Sequence, residues 1–164
     1  MKKWHFSGRI LIITALIVTQ YILAFFVFDL SDYKLLQLLG WGVWLLSVYF
    51  GFAPIFIFQR RGGVAKGESY TQTSRLVDTN LYAIVRHPQY VAGLLFNLSM
   101  MLLCQHWLVI ILGVISMGLL YLDIWAADQE GIEKFGNAYR DYMQRVPRAN
   151  FLLGLVRWLR RHRS

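Results

Sequence analysis

The most informative stretch of this chain is residues 76–95, LVDTNLYAIVRHPQYVAGLL. Arg86 and His87 stand directly before Pro88, and a long apolar run follows them. Helix surfaces that face lipid do not carry such groups for packing, and ionisable residues at a membrane boundary indicate a functional site by default. Proline is favoured in the first helical turn, where its missing N–H costs no hydrogen bond. The stretch therefore predicts a membrane helix that begins at Pro88, with an ionisable site at its mouth.

The composition indicates a membrane protein. The chain has 164 residues, of which 57% are hydrophobic and 16% are charged, whereas soluble domains contain roughly 25% charged residues. A chain of this length is expected to form one domain, so we predict a single membrane domain over residues 1–164. The one cysteine, Cys104, excludes an internal disulfide and a cysteine-based metal centre, and no metal site is predicted.

Four apolar runs are candidates for membrane spans, because a helix needs about 20 residues to cross a bilayer. They are residues 10–28, 35–58, 88–106 and 107–125. Only a very short turn separates the last two, which predicts a tight antiparallel hairpin. We therefore predict an all-α integral membrane fold with about four transmembrane helices, a C-terminal helical hairpin and interfacial amphipathic helices.

The predicted domain has four parts along the chain. Residues 1–59 hold two N-terminal spans, residues 60–87 a loop with a motif segment, residues 88–125 the hairpin and residues 126–164 an interfacial segment. In the last part, apolar residues recur at helical spacing in two sets, which predicts amphipathic helices: Phe135, Tyr139, Tyr142 and Met143, then Leu152, Leu155, Val156 and Leu159. Gly131 and the exit from the membrane favour a break in the fourth helix near Asp128.

The basic residues predict an orientation in the membrane. The formal net charge is +8, and every Lys and Arg except Lys34 lies before the first span, between the second and third, or after the fourth. Because Lys and Arg accumulate on the cytoplasmic side, we predict that both termini and the 60–87 loop are cytoplasmic. These residues flank apolar spans, so the lipid bilayer is the predicted partner and nucleic acid is not. The basic C-terminal tail is expected to lie on anionic lipid.

Two oppositely charged groups are predicted at the cytoplasmic end of the hairpin. The helix that begins at Pro88 has unpaired N–H groups and a positive dipole end, and Arg86 adds a fixed charge, so an anion is expected there. The fourth span returns to the same side with Asp128 and Glu130, which suit a cationic group. Together they fit an amino-acid zwitterion, such as the methionine moiety of S-adenosylmethionine.

Each of these residues also has an interpretation that involves no site. Arg86 fits the positive-inside rule, and His87 fits a helix cap. Tyr82 and Tyr90 fit the aromatic belt of a membrane interface. The two acidic residues fit solvated positions on an interfacial helix. Only the ordered combination is specific.

The order of three motifs adds a resemblance. Arg-His-Pro-x-Tyr comes first, the predicted hairpin follows, and Phe-Gly-x-x-Tyr-x-x-Tyr with Val-Pro-Arg ends the series. This order resembles the isoprenylcysteine carboxyl methyltransferase family and its phospholipid methyltransferase relatives, over roughly residues 76–148. The matching positions are Leu76, Tyr82, Arg86, His87, Pro88, Tyr90, Phe135, Gly136, Tyr139, Tyr142, Val146, Pro147 and Arg148.

The resemblance implies an integral-membrane methyltransferase that binds S-adenosyl-L-methionine on the cytosolic side. The methyl group would go to a lipophilic or small acceptor, and an isoprenylcysteine carboxylate, a phospholipid amine and a thiol all stay open. Catalytic roles are implied for Arg86 and Tyr90. Cofactor-binding roles are implied for Leu76, Tyr82, His87, Pro88, Tyr90, Asp128 and Glu130.

The sequence departs from the family pattern at three places. Asn80 stands where the family has a glycine, although asparagine tolerates a left-handed backbone. Ala92 replaces a second glycine. The register puts the family's two glutamates at Ala127 and Asp128, so one carboxylate is absent and the other is shortened, with Glu130 as a possible substitute.

Two other functions are alternatives. Membrane sterol and steroid reductases share a related C-terminal region and use NADPH, but the Phe-Gly-x-x-Tyr and Val-Pro-Arg ending argues against them. The lost glutamate leaves a non-catalytic membrane scaffold as the third interpretation. Cofactor binding discriminates the three functions, because a methyltransferase requires S-adenosylmethionine, a reductase requires NADPH and a scaffold requires neither.

Overall fold

The chain folds into helices throughout the part that the computed structural model describes, which is residues 8–28, 33–63 and 74–161. No strand occurs in these ranges. The α-helices are α1 Gly8–Val27, α2 Lys34–Arg61, α3 Pro88–Cys104, α4 Trp107–Phe135, α5 Asn137–Arg145 and α6 Phe151–Arg161, and a short 3₁₀ helix covers Asn80–Ala83. The predicted all-α class is confirmed.

Three of the helices, α1, α2 and α4, are long and apolar enough to cross a membrane by length and composition. The chain is therefore an integral membrane protein, as predicted. Helix α3 is apolar but has only 17 residues, and at 1.5 Å per residue it is about 26 Å long, slightly less than a hydrocarbon core of about 30 Å. The predicted fourth span and the hairpin thus remain predictions.

Helix α4 is longer than the predicted span and has no break near Asp128. It continues past Trp125 to Phe135, so the expected interruption at that point is wrong. The chain turns instead at Gly136, whose φ of 59° lies in the left-handed region that glycine adopts without steric cost. As a result, Phe135 ends α4, whereas Tyr139 and Tyr142 lie on α5.

One compact unit of the chain comprises Met1–Ser47 and Gly93–Leu122. Its buried core is Ala24, Val27, Met100, Leu103, Cys104 and Val109. Gly40 lies directly against Leu103, where a side chain would collide, so small residues permit close helix packing here. The buried Gln20 donates a hydrogen bond to the carbonyl of Val109 at 3.0 Å.

The other compact unit comprises Val48–Ala92 and Asp123–Ser164. Tyr139, Tyr142 and Val146 form a buried cluster on and after α5. The Tyr142 hydroxyl donates to the carbonyl of Tyr82 at 2.6 Å, which ties α5 to the segment before the Arg-His-Pro motif. Asn80 has a φ of 56°, so the left-handed turn expected there is present. The single domain over residues 1–164 stays a prediction.

Candidate functional site

The Arg-His-Pro motif forms the start of α3, as predicted. The carbonyl of His87 accepts the N–H of Val91 at 3.1 Å, which makes His87 the cap and Pro88 the first helical residue. The backbone before it is fixed by the segment after α5, because the N–H groups of Arg86 and His87 donate to the carbonyls of Pro147 and Arg148 at 3.1 and 3.3 Å. The backbone of the motif is therefore fixed by Pro147 and Arg148, which lie outside the helix that the motif begins.

Asp128 lies at the centre of the site. Its side chain is 1% exposed, and its Oδ1 atom lies 2.7 Å from Nε2 of His87 and 3.0 Å from the hydroxyl of Tyr139. Its Oδ2 atom accepts a hydrogen bond from Nε of Arg148 at 2.6 Å. Nη1 of Arg86 lies 3.3 Å from Oδ1 as an ion pair. One carboxylate thus organises four side chains, which we call the Asp128 cluster.

The donors in the Asp128 cluster follow from the chemistry of its members. Burial and the neighbouring Asp128 carboxylate raise the pKa of Tyr139, so its phenol keeps its proton and donates to Oδ1. An ionised carboxylate can only accept, and His87 must therefore carry a hydrogen on Nε2. That leaves Nδ1 of His87 directed away from Asp128.

The Asp128 cluster carries an excess of positive charge. Arg86 and Arg148 contribute two fixed charges, and Asp128 opposes only one of them. In addition, Nε of Arg86 is buried and has no partner in the described part of the chain, and Nη1, although it is ion-paired with Asp128, makes no hydrogen bond of good geometry there. A buried charged donor without a partner costs about 1–3 kcal/mol. The site is therefore suited to an anionic group that would accept from Arg86.

Arg148 and Tyr139 complete the cluster, although the residues alone gave no site role to either. The guanidinium of Arg148 also stacks on the ring of Trp125, 3.8 Å from its centroid, which favours a fixed orientation. Both residues were among the motif positions of the family resemblance. The missing information was spatial, since Asp128 and Arg148 are 20 residues apart in sequence and meet only because the chain turns at Gly136.

The continuous helix α4 explains which acidic residue enters the site. Asp128 is buried, whereas Glu130 is exposed and takes no part in the Asp128 cluster. Gly131 lies directly against the ring of Tyr139, where any side chain would collide. The glycine thus lets Tyr139 approach α4 closely enough for its hydroxyl to reach Asp128, one turn earlier.

Residues 67–128 match the model of the isoprenylcysteine carboxyl methyltransferase (ICMT) family. The predicted family resemblance is confirmed. The matched segment includes the Arg-His-Pro motif, all of α3 and α4 as far as Asp128. The match supports a membrane methyltransferase in general terms, and it does not support the reductase or scaffold alternatives. The comparison with curated proteins found no match, and the comparison with solved structures also found none.

The remaining predicted site residues of the matched segment 67–128 lie around the Asp128 cluster or support it. The ring of Tyr90 meets the ring of His87 edge-on, with centroids 5.8 Å apart. Pro88 is buried and starts α3. Tyr82 is buried and stacks on Phe58 at 4.7 Å, and Leu76 packs against the cluster of Tyr139, Tyr142 and Val146. Tyr82 and Leu76 thus buttress the site through packing.

A groove of about 880 Å³ is lined in part by residues 78–84 of the matched segment. One wall is the apolar face of α2, and the opposite wall is formed by residues 78–84 and by α6. The lining residues are Tyr49, Ala53, Phe56, Ile57, Asp78, Thr79, Asn80, Leu81, Ala83, Ile84, Trp158 and Arg161. The groove is apolar along α2 and polar near Asp78, which suits an amphipathic molecule.

Proposed function

We propose that this protein transfers a methyl group from S-adenosylmethionine to a lipophilic or small acceptor at the cytoplasmic face of a membrane. The observation that carries the proposal is the Asp128 cluster, in which a buried Arg86 has unused donors within an ICMT-family segment. An excess positive charge that is shielded from water is a binding site for an anion, and the cofactor carries a carboxylate.

The residues of the cluster fit the methionine moiety of this cofactor. Nε of Arg86 would donate to its carboxylate and thereby gain the partner that it lacks, and Nη1, now held only by its ion pair with Asp128, would donate to the same group. Asp128 acts as the positioning residue, because it holds Arg86, His87 and Arg148 in one arrangement. His87 and Tyr90 form the adjoining wall, and Pro88 sets the direction of α3. Glu130, exposed and outside the cluster, has no part in this proposal.

The bound cofactor would supply an activated methyl group on a sulfonium. The protein then has to align the acceptor with that methyl group and to exclude water. Burial of Arg86 and Asp128 keeps the charged contacts in a low-dielectric surrounding, where each is stronger than in water. Fixed side chains around Asp128 would hold the donor in one orientation during the displacement.

The groove along α2 is the proposed route for the acceptor. Phe56 and Tyr49 on its wall are largely exposed, as expected of residues in contact with lipid chains. An acceptor with an apolar tail would enter sideways from the bilayer and keep its polar end near residues 78–80. An isoprenylcysteine carboxylate, a phospholipid amine and a lipophilic thiol all satisfy this description.

The proposed topology has four membrane helices and cytoplasmic termini. Gln105 and His106 alone separate α3 from α4, which suits a tight hairpin with its turn on the far side. Helix α4 is about 43 Å long at 1.5 Å per residue, so its last turns, with Asp128, would extend beyond the hydrocarbon core. The site would then lie at the cytoplasmic boundary, where a water-soluble cofactor has access.

Calorimetry of the purified protein in nanodiscs tests which cofactor the protein binds. We expect S-adenosylmethionine and S-adenosylhomocysteine to bind with dissociation constants on the order of micromolar, and NADPH not to bind. Binding of NADPH alone would support the reductase, and binding of none would leave the scaffold. Transfer of labelled methyl groups to a membrane lipid extract then identifies the acceptor class.

A substitution at Arg86 tests whether its buried donors bind the cofactor. Arg86→Gln removes the charged donors, so we expect S-adenosylhomocysteine affinity to fall by about tenfold or more, equivalent to at least about 1.4 kcal/mol. Arg140→Gln is the matched control, because Arg140 is exposed on α5. Equal affinity of both variants would show that Arg86 does not hold the cofactor.

A further inference from the structure

Helix α6 has three distinct faces. Gly154, Phe151, Trp158 and Arg161 lie on the face toward the rest of their compact unit. A second face is apolar and consists of Leu152, Leu155, Val156 and Leu159, which are 40–63% exposed. The third face carries the exposed Leu153 together with Arg157 and Arg160, two exposed arginines that form no ion pair within the described ranges.

The inner face of α6 packs on the residues that precede the Arg-His-Pro motif. Gly154 lies against the carbonyl of Ile84 so closely that a side chain could not fit. Nη2 of Arg161 donates to the carbonyl of Ala83 at 3.1 Å, and Phe151 meets the ring of Phe50 at 5.2 Å. The position of α6 therefore helps to fix the backbone two residues before Arg86.

The outer faces of α6 match the chemistry of an anionic lipid surface. Five exposed aliphatic side chains on a helix that also exposes arginines are typical of helices that lie in the headgroup region of a bilayer. The helix contains no acidic residue, so nothing on it would repel lipid phosphates. Each basic residue near an anionic leaflet contributes about 1 kcal/mol of attraction.

We propose that α6 binds the anionic leaflet through Leu152, Leu155, Val156, Leu159, Arg157 and Arg160, and that this contact stabilises the arrangement of residues 83–87. Anionic lipid would then raise the affinity of the Asp128 cluster for its cofactor. The contact of α6 with the leaflet is independent of the proposed function, whereas the effect on cofactor affinity rests on the proposed function.

The surface contact is tested with a nitroxide label at Leu155→Cys. The only natural cysteine, Cys104, is buried, so labelling at position 155 is selective. The protein is placed in nanodiscs of phosphatidylcholine alone or mixed with phosphatidylglycerol. We expect the label to lie at acyl-chain depth in the mixed discs and to move toward water when Arg157→Gln and Arg160→Gln are added. A control label at Gln144→Cys on α5 should not respond.

The coupling is tested by S-adenosylhomocysteine affinity in the same two kinds of nanodisc. We expect about fivefold tighter binding in the mixed discs, within the usual range of allosteric coupling. The double variant Arg157→Gln, Arg160→Gln should lose this difference, and Arg60→Gln, Arg140→Gln, which removes the same charge elsewhere, should keep it. Gly154→Ala should keep the depth of the label but lose the difference in affinity.

The outcomes separate the two proposals. A label at position 155 that stays in water in both discs overturns the surface contact. Equal affinity in both discs overturns the coupling. If S-adenosylhomocysteine binds in neither disc, the proposed function fails, while the depth of the label still reports on the surface contact.

Discussion

Asp128 accepts hydrogen bonds from His87, Tyr139 and Arg148. In the family pattern that the sequence resembles, this position is the second of two glutamates. The shorter side chain is accommodated because α5 and the segment after it approach α4 closely beside Gly131. A single carboxylate opposed by two arginines leaves the site more positive than a pair of carboxylates would.

Substitutions at Asp128 and Glu130 should have different effects, because Asp128 is buried and Glu130 is exposed. Asp128→Asn leaves Arg86 and Arg148 near each other without a counter-charge, and removing one partner of a buried ion pair costs about 3–5 kcal/mol of stability. Glu130→Gln should change stability by less than about 0.5 kcal/mol. Thermal unfolding in detergent and S-adenosylhomocysteine titration measure both effects. A silent Asp128→Asn with a damaging Glu130→Gln would contradict the arrangement described above.

Buried tyrosines give the fold a dependence on alkaline pH. Burial, together with the neighbouring Tyr139 and Tyr82, raises the pKa of Tyr142, so the unfolded chain releases this proton at a lower pH than the folded protein does. The stabilisation is complete below the unfolded pKa of about 10 and is lost as pH rises toward the folded value.

Tyr142→Phe should therefore flatten the alkaline limb of the stability curve. We expect the drop in unfolding temperature between about pH 8 and pH 11 to be smaller in Tyr142→Phe than in the wild type. The variant should also lose about 1 kcal/mol near neutral pH, because its hydrogen bond to the Tyr82 carbonyl is removed. Tyr33→Phe, at an exposed position, is the control. An unchanged drop in Tyr142→Phe would show that Tyr142 does not titrate differently on folding.

At the scale of elements, the sequence predicts membrane helices well because the signal is local. Long apolar runs and the Pro88 start were recognisable from composition and one residue type, and α1, α2 and α3 begin within two residues of the predicted positions. The end of α4 was not predictable in the same way. Gly131 suggested a weak helix, but its function is to make room for Tyr139, a contact between residues that belong to different helices.

A substitution at Gly131 tests that explanation. Gly131→Ala should raise the intrinsic helix propensity of α4 by about 1 kcal/mol, yet its methyl group would collide with the Tyr139 ring. We expect the collision to outweigh the propensity, with a net loss of about 1–3 kcal/mol and weaker cofactor binding. The double variant Gly131→Ala, Tyr139→Ala should recover stability relative to Gly131→Ala alone. A stabilised single variant would mean that Gly131 is only a poor helix former.

At the scale of the whole molecule, the charge distribution predicts an orientation independently of the family resemblance, which also implies a cytosolic site. The convergence of Arg86, Asp128 and Arg148 needs the three segments that carry them to end on the same side of the membrane. Composition could not reveal that convergence, because it follows from the tertiary fold. Charge bias does indicate the side, since every Lys and Arg except Lys34 lies in segments predicted to be cytoplasmic.

Accessibility labelling of single cysteines tests this orientation. Tyr33→Cys precedes α2 at an exposed position, and Gln144→Cys is exposed on α5, while the natural Cys104 is buried and should not react. In sealed vesicles of known sidedness, a membrane-impermeant maleimide should reach position 144 only from the cytoplasmic side and position 33 only from the opposite side. Reaction of both from one side would mean that the number of crossings between them is even, and would remove either α3 or another helix from the set of spans. Reversed labelling of the two positions would keep an odd number of crossings between them but place the Asp128 cluster on the side opposite the cytoplasm. There the basic residues would contradict the usual bias and an intracellular cofactor would have no access.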